Sequence, residues 1–232
     1  MNEVEKNLIF IRERIAAAAA RAGREPGGVE LVAVSKTFPA TAVREAWHAG
    51  QAVFGESRVQ EAAAKIPDLP GALRWHFIGH LQKNKVRRAL PLFDLFHGVE
   101  SSELAQAMDR IAAEEGVFPR VLLEVNVAGE ASKFGFKPDA IEREIDALLA
   151  LPRLQIEGLM AIAPYDEDAE ASRPHFRALR ELRDRLAAKT GLPFGTLSMG
   201  MSGDFEVAVE EGATLVRVGS AIFGSRPKPA AE

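Results

Sequence analysis

Eight short apolar runs, separated by helical patterns, constrain this 232-residue chain more than any other feature. They cover positions 29–35, 52–55, 75–79, 95–99, 120–126, 156–162, 196–199 and 215–219. Several are apolar at nearly every position, which is the signature of strands covered on both faces. The intervals carry helix punctuation. Val4, Leu8, Ile11 and Ile15 recur at helical spacing in an opening helix that closes near Gly23, before the breaker Pro26-Gly27-Gly28. Ser101 or Ser102 caps a helix with Leu104, Met108 and Ile111 on one face, and Gly116 ends it. Pro138 suits the first turn before Ile141, Ile145 and Leu148, and Phe176, Leu179, Leu182 and Leu186 form a stripe that stops at Gly191.

Strands alternating with helices make parallel βαβ units. A count of eight predicts a (β/α)8 TIM barrel with an additional N-terminal helix, one domain over 1–232, close to the roughly 250 residues usual for that architecture. A doubly wound open sheet is the structural rival, because periodicity alone does not distinguish a closed ring from an open edge.

Composition narrows the chemistry. The absence of cysteine excludes disulfides, thiolate nucleophiles and Cys-based metal sites. A formal charge of −4 without a basic run disfavours nucleic acid. The apolar stretches are too short to cross a bilayer, and Glu3 and Glu5 stand where a secretory signal carries base, so a cytoplasmic protein is expected. His48, His76, His80, His97 and His175 are scattered and no acidic cluster accompanies them at ligand spacing, so no metal site is expected.

Barrel active sites are built at the C-terminal ends of strands and in the loops that follow. Lys36 follows the first strand, and a desolvated lysine amine is the nucleophile that attacks carbonyls; an ion pair with Glu56 is its structural alternative. Arg217 is flanked by Leu215, Val216 and Val218 and needs a partner, either a structural carboxylate or a ligand acceptor. The loops after strands seven and eight carry Ser198, Gly200, Ser202, Gly219 and Ser220, the glycine and hydroxyl pattern of a phosphate cup. The structural alternative makes Ser202 the cap of a helix holding Phe205 and Val209. Together these residues point to a phosphorylated aldehyde held as an imine, with pyridoxal 5′-phosphate (PLP) or an aldolase phosphosugar both fitting. His80, Lys85 and Lys133 are further residues near the mouth, Lys133 as an amine receiving cofactor in transit.

The sequence resembles the pyridoxal phosphate homeostasis protein family, single-domain relatives of the alanine racemase barrel. The resemblance rests on Val34-Ser35-Lys36-Thr37, Phe54-Gly55-Glu56, Val59-Gln60-Glu61, His76-Phe77-Ile78-Gly79, Leu81-Gln82 and Asn84-Lys85. It continues through Asn126-Val127, Gly129-Glu130, Ser132-Lys133, Gly158-Leu159-Met160, Ser198-Met199-Gly200-Met201-Ser202 with Asp204, Val216-Arg217, and Gly219 with Ile222-Phe223-Gly224. It implies an internal aldimine between Lys36 and PLP and Arg217 facing the pyridine nitrogen. It also implies a phosphate surrounded by Ser198, Gly200, Ser202, Gly219 and Ser220. Ser57 and Arg58 stand where the family usually has asparagine and often an aromatic, so no cofactor contact is carried over there.

The role implied is control of free PLP, by buffering it or delivering it to apo-enzymes, with no catalytic residue and no turnover. A low-activity PLP-dependent amino-acid racemase is the alternative. An arginine at the ring nitrogen keeps the ring a weak electron sink. Racemases of this barrel draw a tyrosine from a second domain and dimerise, whereas this chain has one tyrosine, Tyr165, and is expected to be a monomer.

Overall fold

In the computed structural model, which describes residues 2–130 and 133–225, eight parallel strands close into a barrel in sequence order. They are β1 (Glu30–Val34), β2 (Val53–Glu56), β3 (Arg74–Phe77), β4 (Leu95–Val99), β5 (Arg120–Glu124), β6 (Gln155–Met160), β7 (Thr196–Ser198) and β8 (Leu215–Val218). Each lies inside a run expected from the sequence or within one residue of it. Pairing of β1 with β8, Val32 opposite Arg217, closes the ring and removes the free edge that a doubly wound sheet would keep. Ser35, Asn126, Ile162 and Gly219 lie beyond their strands, because the chain leaves the ladder there to build the mouth of the barrel. Ser132 falls outside the described residues.

The helices are α1 (Glu3–Arg21), α2 (Ala40–His48), α3 (Val59–Lys65), α4 (Val86–Ala89), α5 (Ser102–Glu115), α6 (Pro138–Leu149), α7 (Arg173–Thr190), α8 (Phe205–Glu210) and α9 (Ser220–Phe223). Helix α1 is the extra N-terminal one. The Glu5 N–H donates to Asn2 Oδ1 at 2.8 Å to start it, and it buries Leu8, Ile11 and Ile15 over α8 and α9. Burial of each such side chain is worth about 1.5–3 kcal/mol. Arg14 adds a clamp between the rings of Phe10 and Phe205 and pairs with Glu206 at 2.6 Å. Ser101 rather than Ser102 caps α5, accepting from the Leu104 N–H at 3.2 Å, and Gly116 ends it at φ 70°.

Alternation along the strands divides the core in two. Phe54, Trp75, Phe77, Phe96, Leu123 and Val216 join the large cluster beneath the helices. Val32, Val53, Leu95, Leu122, Met160 and Leu215 form a separate cluster inside the ring. His76, His97, Ser198 and Arg217 share the inward parity of that second set. Strands β6 and β7 approach so closely that a Cβ on Gly158 would lie 1.8 Å from the Thr196 carbonyl oxygen, so only glycine serves there.

Candidate functional site

The loop leaving β1 is held by a buried charge cluster. The Lys65 side chain at the end of α3 is 7% exposed, and its Nζ donates to Ser35 O at 2.9 Å, Glu56 Oε1 at 2.7 Å and Glu61 Oε1 at 3.0 Å. Ser35 Oγ donates to the same Glu56 oxygen at 2.7 Å, and the Thr37 N–H donates to Glu61 Oε1. Thr37 adopts φ 70°, a left-handed conformation unusual for a β-branched residue, and strain of that kind persists only where neighbours enforce it. Lys65 and Glu61 thus grip the backbone on both sides of Lys36. Burial pushes the Glu56 carboxyl up, against the lowering effects of Lys65 and Ser35, and Glu56 Oε2 has no hydrogen-bond partner. Glu56, the carboxylate suggested by the sequence as an ion-pair partner for Lys36, forms its ion pair with Lys65.

Lys36 opens onto a cavity of about 740 Å³ at the C-terminal mouth of the barrel. Val34, Phe38, Ile78, Ile162, Pro164 and Met201 supply apolar walls, and Arg217, Ser202, Gly203, Asp204, Gly219, Ser220 and Ala221 supply the polar ones. Tyr165, 91% exposed, and Asp166 stand among its lining residues. Five of the seven sequence-derived site residues, Lys36, Arg217, Ser202, Gly219 and Ser220, therefore meet around one space.

Ser198 and Gly200 are not among the lining residues. Ser198 is fully buried, and its Oγ accepts from Arg217 Nη1 and lies 2.9 Å from His97 Nδ1. Gly200, at φ 91°, packs so closely on Phe205 and Ala208 that a Cβ would meet Ala208 Cβ at 2.5 Å. Both underpin the site from behind.

The two serine-glycine loops are tied together. The Gly219 N–H donates to Ser202 Oγ at 3.3 Å, so Ser202 links the loops instead of capping α8. Asp204 orders the first loop, accepting from the Met201 N–H at 2.7 Å and from Ser172 Oγ at 3.1 Å. Among the described residues, the N–H groups of Ser202, Gly203, Ser220 and Ala221 donate to no protein acceptor. Four uncommitted donors converging on one cavity form a cradle for an oxyanion.

Arg217 is 4% exposed and has no carboxylate within ion-pair distance among the described residues. Its Nη2 donates to Ala161 O at 3.0 Å and its Nη1 to Ser198 Oγ. Burial lowers its pKa to about 10, with Glu124 and Asp204 acting the other way, so it stays protonated at neutral pH. The structural salt bridge that the sequence allowed is absent here.

Several residues that matter escaped sequence reasoning. His97 Nε2 lies 3.1 Å from His76 Nδ1, extending the Arg217–Ser198 contact through the barrel interior. Burial, then the charges of Arg74 and Arg120, lowers His76 to about 3; His97 is also held well below its ordinary range, first by burial. Inward parity on β3 and β4 was the signal available, since His76 pairs with Leu95 and His97 follows two residues later. Burial, reinforced by Glu100, pushes Glu124 up to about 7, against Arg217 and His80.

The remaining mouth candidates lie off the cavity. His80 pairs with Glu100 at 2.8 Å and stacks on Phe134 with centroids 4.2 Å apart. Lys133 is exposed, its carbonyl accepting from Asn126 Nδ2, and Lys85 ends a short 3-10 turn, Lys83–Lys85. Among the described residues no cluster of His, Asp or Glu is arranged to hold a metal, and no helix is long and apolar enough to cross a membrane.

Known proteins resemble this chain in sequence and in fold. Residues 7–227 match the alanine racemase N-terminal domain family. The pyridoxal phosphate homeostasis protein of Aquifex aeolicus is 44% identical, covering 97% of this chain and 99% of its own, and that of Pseudomonas aeruginosa is 45% identical over 97% of each. The chain belongs to the pyridoxal phosphate homeostasis protein family. A solved member, PipY of Synechococcus elongatus with PLP bound, superposes with a TM-score of 0.80 at 44% identity, covering 92% of this chain and all of its own. Alanine racemase of Clostridium difficile, at 17% identity, covers 99% of this chain with a TM-score of 0.73 but is itself covered over only 58%, and shares the barrel fold. Other relatives at this level, from Escherichia coli to Bos taurus, carry the homeostasis name.

Proposed function

We propose that this chain binds PLP through Lys36 and takes part in PLP homeostasis, holding the cofactor and handing it to apo-enzymes. The observation that carries the reading is the convergence of a lysine amine, a buried guanidinium and four uncommitted backbone N–H groups on one cavity. Support comes from relatives of over 40% identity that carry the homeostasis name and from a PLP-bound member of the same fold.

The donor set suits the group. When bound, PLP supplies an electrophilic aldehyde on a pyridine ring with an anionic phosphate tail. Lys36 would present its amine from a fixed stretch of backbone, because Lys65 and Glu61 clamp the residues beside it. The N–H groups of Ser202, Gly203, Ser220 and Ala221 would offer partial positive charge to the phosphate, and Ser202 keeps its hydroxyl proton for an acceptor in the cavity. Val34, Ile78, Ile162 and Met201 supply apolar wall that would shield a bound ring from water. Arg217 would offer N–H to the ring nitrogen and, remaining protonated, could not accept a hydrogen bond from a protonated ring, so it would disfavour the ring's protonated form.

That last property favours storage over turnover, because a ring nitrogen left without its proton draws electrons weakly. The reading covers residues 1–232 as one PLP-binding unit acting as a cytoplasmic monomer. Sedimentation of the holoprotein at monomer mass and release of PLP to an apo-transaminase are its expected behaviour. Sustained loss of optical rotation from a single-enantiomer amino acid supports the racemase alternative instead. The direct test of binding is a visible-absorption titration with PLP. The wild-type protein is expected to develop a new band that saturates at one equivalent, and Lys36→Ala to develop none; equal bands in both overturn the reading.

A further inference from the structure

The hydrogen bonds that run from the cavity floor through the barrel have only one consistent direction. A guanidinium can only donate, so Ser198 Oγ is an acceptor toward Arg217 Nη1. The Ser198 hydroxyl proton is sealed in a fully buried residue and has one remaining partner, His97 Nδ1 at 2.9 Å. His97 therefore accepts at Nδ1 and carries its proton on Nε2, which donates to His76 Nδ1 at 3.1 Å. His76 in turn carries its proton on Nε2, at the wall of a second cavity of about 250 Å³ on the opposite side of the barrel.

Every donor in the chain points away from the cofactor cavity: Arg217 to Ser198, Ser198 to His97, His97 to His76. Such a chain does not conduct protons to the ring nitrogen, because its first member has none to accept and no lone pair to receive one. What it does is fix the guanidinium. One arm is drawn to Ser198 and the other to Ala161 O, so the remaining N–H groups have a single orientation. Ser198 is a good acceptor for Arg217 only while its own proton is taken by His97.

We infer that His97 is a positioning residue for Arg217, and that the chain Arg217–Ser198–His97–His76 sets the donor geometry that a bound pyridine nitrogen meets. This deepens the PLP reading above and rests on it. Neither histidine touches the cofactor cavity, and neither is a lining residue of it. His97 replaced by a pure packing residue should therefore leave the cavity intact and misaim Arg217.

Two substitutions separate positioning from packing. His97→Phe keeps the ring volume and loses the acceptor; His97→Asn leaves a void but keeps an acceptor oxygen near the Nδ1 position. The expected result is that the Phe holoprotein has a shifted visible band and binds PLP about tenfold more weakly, while Asn restores the band and most of the affinity. A Phe variant with the wild-type spectrum and affinity, or an Asn variant worse than Phe, overturns the inference. Should the Phe variant fail to fold, the tautomers decide it. Long-range proton–nitrogen NMR of the wild-type protein without PLP is expected to find both His97 and His76 neutral and protonated on Nε2. A proton on His97 Nδ1 refutes the chain. The tautomer measurement does not involve PLP, so its outcome is independent of whether the Lys36 reading stands.

Discussion

Replacing Lys65 by methionine probes the clamp beside Lys36 most sharply. The methionine keeps the length of the side chain and removes a buried ammonium that serves Ser35 O, Glu56 and Glu61. Glu56 is fully buried, and its second oxygen already lacks a partner. Removing one member of such a pair costs about 3–5 kcal/mol, which for a chain of this size lowers Tm by roughly 6–20 °C. The loss depends on pH because Glu56 can escape it by taking a proton. Burial already raises the Glu56 carboxyl, and without Lys65 it rises further. A carboxyl raised in the folded state is stabilising when protonated, so stability falls as pH climbs from the unfolded value through the folded one.

Differential scanning calorimetry of Lys65→Met is therefore expected to show a small deficit near pH 5 and the full one near pH 8. The double variant Lys65→Met/Glu56→Gln, which removes the charge and keeps an acceptor for Ser35, is expected to recover most of it. An equal deficit at both pH values, or no recovery in the double variant, refutes the assignment of Glu56 as the buried charge. The single variant is also expected to react more slowly with PLP, read by stopped-flow absorbance, because Ser35 and Thr37 lose their common anchor.

Other consequences follow from the same geometry. Gly158→Ala pushes a methyl into the Thr196 carbonyl and is expected to cost at least about 3 kcal/mol, seen as insoluble protein or a collapsed thermal midpoint. Ser202→Ala unties the two mouth loops, and PLP affinity by absorption titration is expected to fall several-fold, with a stability change within about 1 kcal/mol. Glu124, raised to about 7, is expected to titrate near neutrality in carbon-detected NMR. Its contribution to stability is present at acid pH and lost as pH rises toward and through about 7, so Glu124→Gln should flatten that part of the stability profile.

The barrel was legible because most outward strand positions are apolar, so 95–99 and 215–219 read as strands without any knowledge of their partners. Lys36 and Arg217 were legible because the end of a barrel strand fixes where a side chain points. What stayed hidden is non-local. His76 and His97 look unrelated 21 residues apart, and it is the pairing of β3 with β4, both side chains turned inward, that brings their rings together. Lys65 is a lysine with no local signal of burial, yet its ammonium reaches back 30 residues to Ser35. Ser202 satisfies the local rule for a helix cap, and the competing acceptor role toward Gly219 depends on two loops meeting. Ser198 and Gly200 share the motif of the mouth but serve behind it, a distinction set by strand parity and by the close approach of α8.

The central claim is capture of the PLP aldehyde by one amine, and borohydride reduction followed by peptide mass mapping tests it directly. After incubation with one equivalent of PLP, the account predicts a phosphopyridoxyl adduct confined to the peptide that contains Lys36. An adduct spread over surface lysines, or none at Lys36, contradicts it.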